Sequence, residues 1–265
     1  MGALHLVPVP ITGTPSAGPA DGSALRVLPP STIEIARQSR YFLAENARSA
    51  RMFLKAIAHP QAIASLQIVQ IGHEPDPASI DQWLAPLRGL GGAPAVDAVL
   101  LSEAGCPGIA DPGASLVARA HALGIPVVPW VGPSSILLAL MAAGMNGQRF
   151  RFLGYLPQAR DALRARLLAV ERDAQSGETQ VFIETPYRND RLFETILEVC
   201  AADLRLCLAA DLTGPGQFLA TRTVAQWLGI AAGQRPALDR RPTVFLLHGK
   251  GQPQQDRASG PSKGR

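Results

Sequence analysis

The chain has 265 residues, 47% hydrophobic and 17% charged, which excludes a disordered protein and leaves room for one large or two modest domains. The net charge is +4, yet Lys250, Arg257, Lys263 and Arg265 stand against Asp256 alone in the tail, so the body is nearly neutral and its total charge is no argument for a polyanion partner. Three cysteines, Cys106, Cys200 and Cys207, without metal-ligand spacing predict a reduced compartment. The N-terminus lacks the basic start of a signal peptide, and prolines and glycines break the longest apolar run, 125–143. The expectation is a cytoplasmic protein without a membrane segment. His5, His59, His73, His121 and His248 are scattered singly, so no metal site is expected.

Residues 4–9 read as a first strand, followed by a long Gly/Pro/Ser/Thr-rich loop over 11–30 of the kind that often carries function. Ser31 or Thr32 is placed to cap a short helix, with Glu34 closing a capping box. A strand over 41–44 ends in Ala44-Glu45-Asn46-Ala47-Arg48, and Asn46 or Ser49 caps a helix running through His59. A strand over 66–71, a helix over 77–90 and a strand over 96–101 follow. The apolar, alternating pattern predicts a parallel sheet covered on both faces.

The loop 102–113 carries Gly105, Pro107, Gly108, Pro112 and Gly113 between that strand and an amphipathic helix. Glycine lets backbone N–H groups approach a small molecule closely. Such a loop is equally an ordinary strand-to-helix turn. Glu103 and Asp111 flank the glycines, and Asp111 is either an N-cap or a functional carboxylate. A further strand, 125–130, leads into Gly132-Pro133-Ser134-Ser135 at a helix start, which suits an anionic group or simply caps the helix. There is no Gly-Lys-Ser/Thr phosphate loop, no Gly-x-Gly-x-x-Gly after the first strand, and no Gly-x-Ser-x-Gly elbow.

The texture changes near Gln148. Residues 1–148 carry 8 basic and 9 acidic groups and residues 149–248 carry 13 and 11. Strands are predicted over 150–156, 179–184, 204–209, 217–221 and 243–248, with helices over 159–173, 189–201 and 224–232. The expected organisation is an N-terminal α/β domain, 1–148, a C-terminal α/β domain, 149–248, and a disordered tail, 249–265. Arg149, Arg151, Arg160, Arg164, Arg166 and Arg172 cluster locally, and Arg160 and Arg164 share a helix face, as phosphate-binding pairs do. A solvated helix in an arginine-preferring chain is the plainer alternative.

Ser102-Glu103-Ala104-Gly105-Cys106-Pro107-Gly108-Ile109-Ala110-Asp111-Pro112-Gly113 resembles the SDAGTPxxSDPG signature of the tetrapyrrole methylase superfamily (class III S-adenosylmethionine-dependent methyltransferases). The similarity is to its small-subunit ribosomal RNA cytidine 2′-O-methyltransferase branch. It continues in order: Leu6-Val7-Pro8-Val9-Pro10 resembles the first strand and VPTPIGN turn, 44–48 resembles AEDTR, and 128–135 resembles VPxPGPSA. Phe152-Leu153-Gly154-Tyr155-Leu156-Pro157 resembles F-x-G-F-L-P, Phe182-Ile183-Glu184-Thr185-Pro186-Tyr187-Arg188 resembles FYESPHR, and 242–248 resembles the closing strand. The resemblance implies two α/β domains with S-adenosylmethionine in the cleft between them, a homodimer, and ribosomal RNA or the small ribosomal subunit as partner. It implies cofactor contacts at Pro8, Pro10, Ala104, Gly105, Cys106, Ile109, Ser134 and Ser135, and at Glu184, Ala210 and Thr243 in the second domain. Glu45, Glu103 and Glu184 are the candidates for a catalytic base. The chain departs from the pattern at Ile11-Thr12-Gly13-Thr14, Asn46-Ala47, Glu103, Cys106 and Tyr187, and at 212–217, where LTK-x-x-E loses its Lys and Glu. Two alternatives therefore stay open: methylation of a small molecule or protein, and a paralogue that binds cofactor or RNA with little or no catalysis.

Overall fold

The computed structural model describes residues 1–11, 26–89 and 93–249. Most of the expected 11–30 loop and the tail beyond Gly249 lie outside them. Contacts divide the chain into two units, Met1–Ser135 and Ile136–Arg265, so the change of texture at Gln148 falls within the second.

The first unit contains β1 (Leu4–Leu6), α1 (Pro30–Gln38), β2 (Tyr41–Ala44), α2 (Ala47–Ala56), β3 (Gln67–Gln70), α3 (Pro77–Arg88), β4 (Ala98–Leu101), α4 (Ala114–Ala122) and β5 (Val127–Pro129). Its sheet has the order β3-β2-β4-β1-β5 and every pairing is parallel, as the apolar runs predict. All four residues of β2 and of β4 are buried. Successive side chains go to opposite faces: Phe42, Ala44, Val99 and Leu101 join one core with Val7, Phe53 and Leu54, whereas Leu43, Ala98 and Leu100 join another with Leu84, Leu87 and Leu116.

The caps decide where the helices begin. Asn46, not Ser49, caps α2, its Oδ1 accepting from Arg48 N–H at 2.9 Å and Ser49 N–H at 3.4 Å. α2 stops at Ala56, short of His59, because Ala58 turns to φ 51°. Asp76 caps α3, and Gly89, in the left-handed region, ends it. The expected cap of α1 by Ser31 or Thr32 does not form. Pro30 occupies the first turn, where no N–H partner is needed, and Thr32 Oγ1 donates instead to Val131 O at 2.7 Å. Glu34 accepts from Gln38 rather than closing a box.

The second unit holds the body of α5 (Ser135–Ala143), then β6 (Phe150–Tyr155), α6 (Arg160–Gln175), β7 (Thr179–Ile183), α7 (Asn189–Val199), β8 (Arg205–Ala210), β9 (Phe218–Thr223), α8 (Val224–Leu228) and β10 (Thr243–His248). Its sheet, in the order β6-β7-β10-β8-β9, is mixed: only β6 and β7 run parallel. Phe182 stacks on Phe245 at 5.8 Å, and Phe193 meets Trp227 edge-on at 5.4 Å. The buried Trp227 satisfies its indole N–H on Leu206 O at 3.0 Å, as a core tryptophan must.

Candidate functional site

β4, β1 and β5 are neighbours, so the segments leaving their carboxyl ends, 102–113, 7–11 and 130–134, lie side by side, where open parallel sheets take ligands. Pro8 and Pro10 have no N–H to continue a ladder, and the first strand stops at Leu6 rather than Val9. Val9 instead donates to Gly105 O at 2.9 Å and accepts from Gly105 N–H at 3.1 Å, a single antiparallel bridge between the first two segments. Cys106 Sγ donates to Pro133 O at 3.4 Å, tying the second segment to the third. At Gly132 a Cβ would lie 2.3 Å from Pro8 Cβ, so the third segment closes on the first. Gly105, at φ +72°, has Ile11 Cγ2 at 3.3 Å and Pro133 O at 3.6 Å from the place a Cβ would take. Pro8, Gly105 and Cys106 are thereby brought together. Pro10 and Ser134 are buried within these segments, Ala104 and Ile109 are exposed, and Ser135 opens α5.

The glycine loop also settles what Asp111 does not do. The N-cap of α4 is Gly113, at φ +131°, and no side chain caps that helix. A Cβ on Gly113 would lie 2.8 Å from the tip of Leu100, Cδ2, and φ +131° is a conformation that side-chain-bearing residues rarely adopt, so a substitution there is strained. The reading of Asp111 as a cap is therefore wrong. Its carboxyl stands instead near Glu45, Glu103, His73 and Ser102. Burial pushes it up to about 7; the charge of Glu45 adds to that, His73 opposes it, Glu103 adds further, and a hydrogen bond with Ser102 opposes. Glu45, nine-tenths buried at its side chain, accepts from Glu103 N–H at 3.0 Å and faces His73 Nδ1 at 3.3 Å. A small pocket lined by Val9, Pro10, Ser49, Ala50, Phe53, Ser102 and Glu103 adjoins them. Burial also raises the thiol of Cys106, and the charge of Asp111 adds to it.

Glu184, the third base candidate, lies in the second unit, buried and engaged locally: its Oε1 accepts from Thr185 N–H and from Arg188 Nη2, both at 2.6 Å. Ala210 and Thr243, both buried, are register partners across β8 and β10. Beyond Ala210 the backbone turns left-handed at Asp211 (φ 49°) and Thr213 (φ 68°). Arg241 holds this turn, donating to Asp211 Oδ2 at 2.6 Å and to Gly216 O at 2.5 Å, while Gln217 Oε1 accepts from Thr213 N–H at 2.9 Å. On α6, Arg160 is exposed at the first position, whereas Arg164 is paired with Glu198 at 3.1 Å.

Sequence reasoning missed His73 and Arg241, whose partners lie 28 residues away (Glu45) and 30 residues away (Asp211). No local spacing signals such pairs. Among the described residues, no group of three or more His, Cys, Asp or Glu side chains is disposed to hold a metal ion, and no helix is long and apolar enough to cross a membrane.

No protein-family model matches the chain. It is 34% identical over 167 residues to the ribosomal RNA small subunit methyltransferase I of Pseudomonas aeruginosa, covering 62% of this chain and 57% of that protein. The chain thus spans little more than half the length of that relative. Similarity to the protein of the same name from Xylella fastidiosa is 28% over 257 residues, 97% of this chain and 84% of the relative. Among solved structures, a uroporphyrin-III C-methyltransferase from Thermus thermophilus, complexed with S-adenosylhomocysteine, superposes with a TM-score of 0.53 at 17% identity, over 93% of this chain and 97% of that one. The chain therefore has the fold of these methyltransferases and is similar in sequence to proteins named ribosomal RNA small subunit methyltransferase I.

Proposed function

We propose that the protein is an S-adenosylmethionine-dependent methyltransferase acting on small-subunit ribosomal RNA in the cytoplasm. The observation that carries the reading is the convergence of Pro8, Gly105, Cys106 and Pro133 at three parallel strand ends, with Gly132 standing where a Cβ would meet Pro8. The carboxyl ends of such strands are where open parallel sheets take small organic ligands. When bound, S-adenosylmethionine supplies a methyl group already activated on a sulfonium. The protein's own task is then to position donor and acceptor. Pro8, Pro10, Ala104, Gly105, Cys106, Ile109, Ser134 and Ser135 are the proposed contacts on the first unit, and Glu184, Ala210 and Thr243 those proposed on the second. The names of the sequence relatives support the RNA acceptor. Arg160 is the proposed phosphate contact, with Arg164 already neutralised by Glu198.

Calorimetry with S-adenosylmethionine tests the shared premise, and no binding at millimolar ligand sinks it. Small ribosomal subunits lacking the modification should then accept methyl groups. Cofactor binding with no transfer to any acceptor would favour a paralogue without turnover.

A further inference from the structure

A cavity of about 470 Å³ lies at the amino ends of β2, β3 and β4, the opposite end of the first unit's parallel sheet from the glycine loop. Its size is that of a site for a small molecule. Arg40 and Asp97 both line it. β2 and β4 pair with Phe42 beside Val99, and that register carried back two residues sets Arg40 beside Asp97 on the same face of the sheet. Opposite charges so placed attract one another into a pair. These two do not pair. Among the described residues Arg40 makes no ion pair at all, and Asp97 turns towards β1 instead. Its Oδ1 accepts from Ala3 N–H at 2.7 Å, and its Oδ2 stands 3.7 Å from His5 Nε2. His5 is more than nine-tenths buried, and its Nδ1 accepts from Trp130 Nε1 at 3.1 Å, which leaves the ring proton on Nε2. That Nε2 has no hydrogen-bond partner and aims at the Asp97 carboxylate. The cavity thus presents a cation and an anion held back from each other.

We propose that this cavity binds a free aliphatic α-amino acid. The Arg40 guanidinium takes the carboxylate, Asp97 takes the ammonium, and Ile35, Tyr41 and Val96 supply apolar wall for the side chain. α1 ends at the rim, and the carbonyls of its last turn favour the same ammonium. Gln67, whose side-chain amide makes no hydrogen bond among the described residues, adds a donor and an acceptor. A simple anion would satisfy Arg40 but leave a like charge at Asp97. A nucleobase finds no ring to stack on, because Tyr41, the aromatic side chain of the lining, is buried and donates its hydroxyl to Trp83 O at 2.8 Å. This site stands or falls independently of the methyltransferase reading.

Calorimetry on the full chain with L-leucine as the probe should show saturable binding at millimolar ligand or below. Leucinamide, which lacks the carboxylate, and N-acetyl-L-leucine, which lacks the ammonium, should each bind at least about tenfold more weakly. Arg40→Gln and Asp97→Asn should weaken L-leucine by at least about the same factor while far-UV circular dichroism stays native, since asparagine keeps an acceptor for Ala3 N–H. No saturable binding of L-leucine overturns the assignment. So do derivatives that bind as well as the parent, or folded variants that bind as the wild type does. The derivative series needs only wild-type protein, so a variant that fails to fold does not remove the test. S-adenosylmethionine carries the same head group, and the L-leucine titration is therefore repeated with that compound in excess. The expected result is an unchanged affinity for L-leucine. Competition between the two overturns a free amino acid as the occupant and assigns the binding to the methyl donor's own amino-acid end.

Discussion

At the scale of single residues, the glycines of the candidate site differ in what they do. Gly105 needs its left-handed conformation as much as its missing Cβ, because φ +72° is hostile to a β-branched side chain. Gly105→Val should therefore abolish S-adenosylmethionine binding in a titration while far-UV circular dichroism stays native; retained binding would place the cofactor elsewhere. Asp111 makes a separate prediction about stability. Its carboxyl is raised to about 7 in the folded protein, well above the unfolded value near 3.9. Folding therefore favours the protonated form. The contribution is complete below the unfolded pKa and is lost as pH rises through about 7. Asp111→Asn removes that loss, so its melting temperature should gain on the wild type between about pH 5 and about pH 8. A difference that stays constant over this range contradicts the raised carboxyl.

At the scale of elements, caps and prolines place the helices. Asn46 serves as the N-cap of α2 directly after the β2 end that carries Glu45. Asn46→Ala should cost about 1 kcal/mol by denaturant unfolding, because two backbone N–H groups lose their acceptor. α1 shows the opposite case. A capping box was legible at Ser31, Thr32 and Glu34, but Pro30 made a side-chain cap unnecessary and the Thr32 hydroxyl found Val131, 99 residues away. Local propensity loses there because a long-range acceptor satisfies the hydroxyl equally well. In the second unit the strands were legible, but not their mixed directions: short apolar runs look alike in parallel and antiparallel pairs.

At the scale of the whole molecule, the homodimer implied by the resemblance is proposed rather than observed. Its support is α5, apolar after Ser135, which leaves Leu137 51% and Met141 80% exposed one turn apart. Exposed apolar side chains so placed suit a protein partner. Light scattering should give twice the monomer mass for the wild type and the monomer mass for Met141→Glu. A monomeric wild type, or a dimer that Met141→Glu leaves intact, counts against this face.

The order of strands and helices, the glycine loop and the turn at Gly132 were all determined by the sequence alone, because period-two and helical apolar patterns, glycines and prolines act locally. Tertiary structure decided what the polar residues do. Asp111 changed from a cap to a perturbed carboxyl because Glu45 and His73 arrive from strands β2 and β3, and Arg241 became a clamp because β10 starts beside the end of β8. Those roles depend on burial and on charges distant in sequence, and both are fixed only when the sheets assemble.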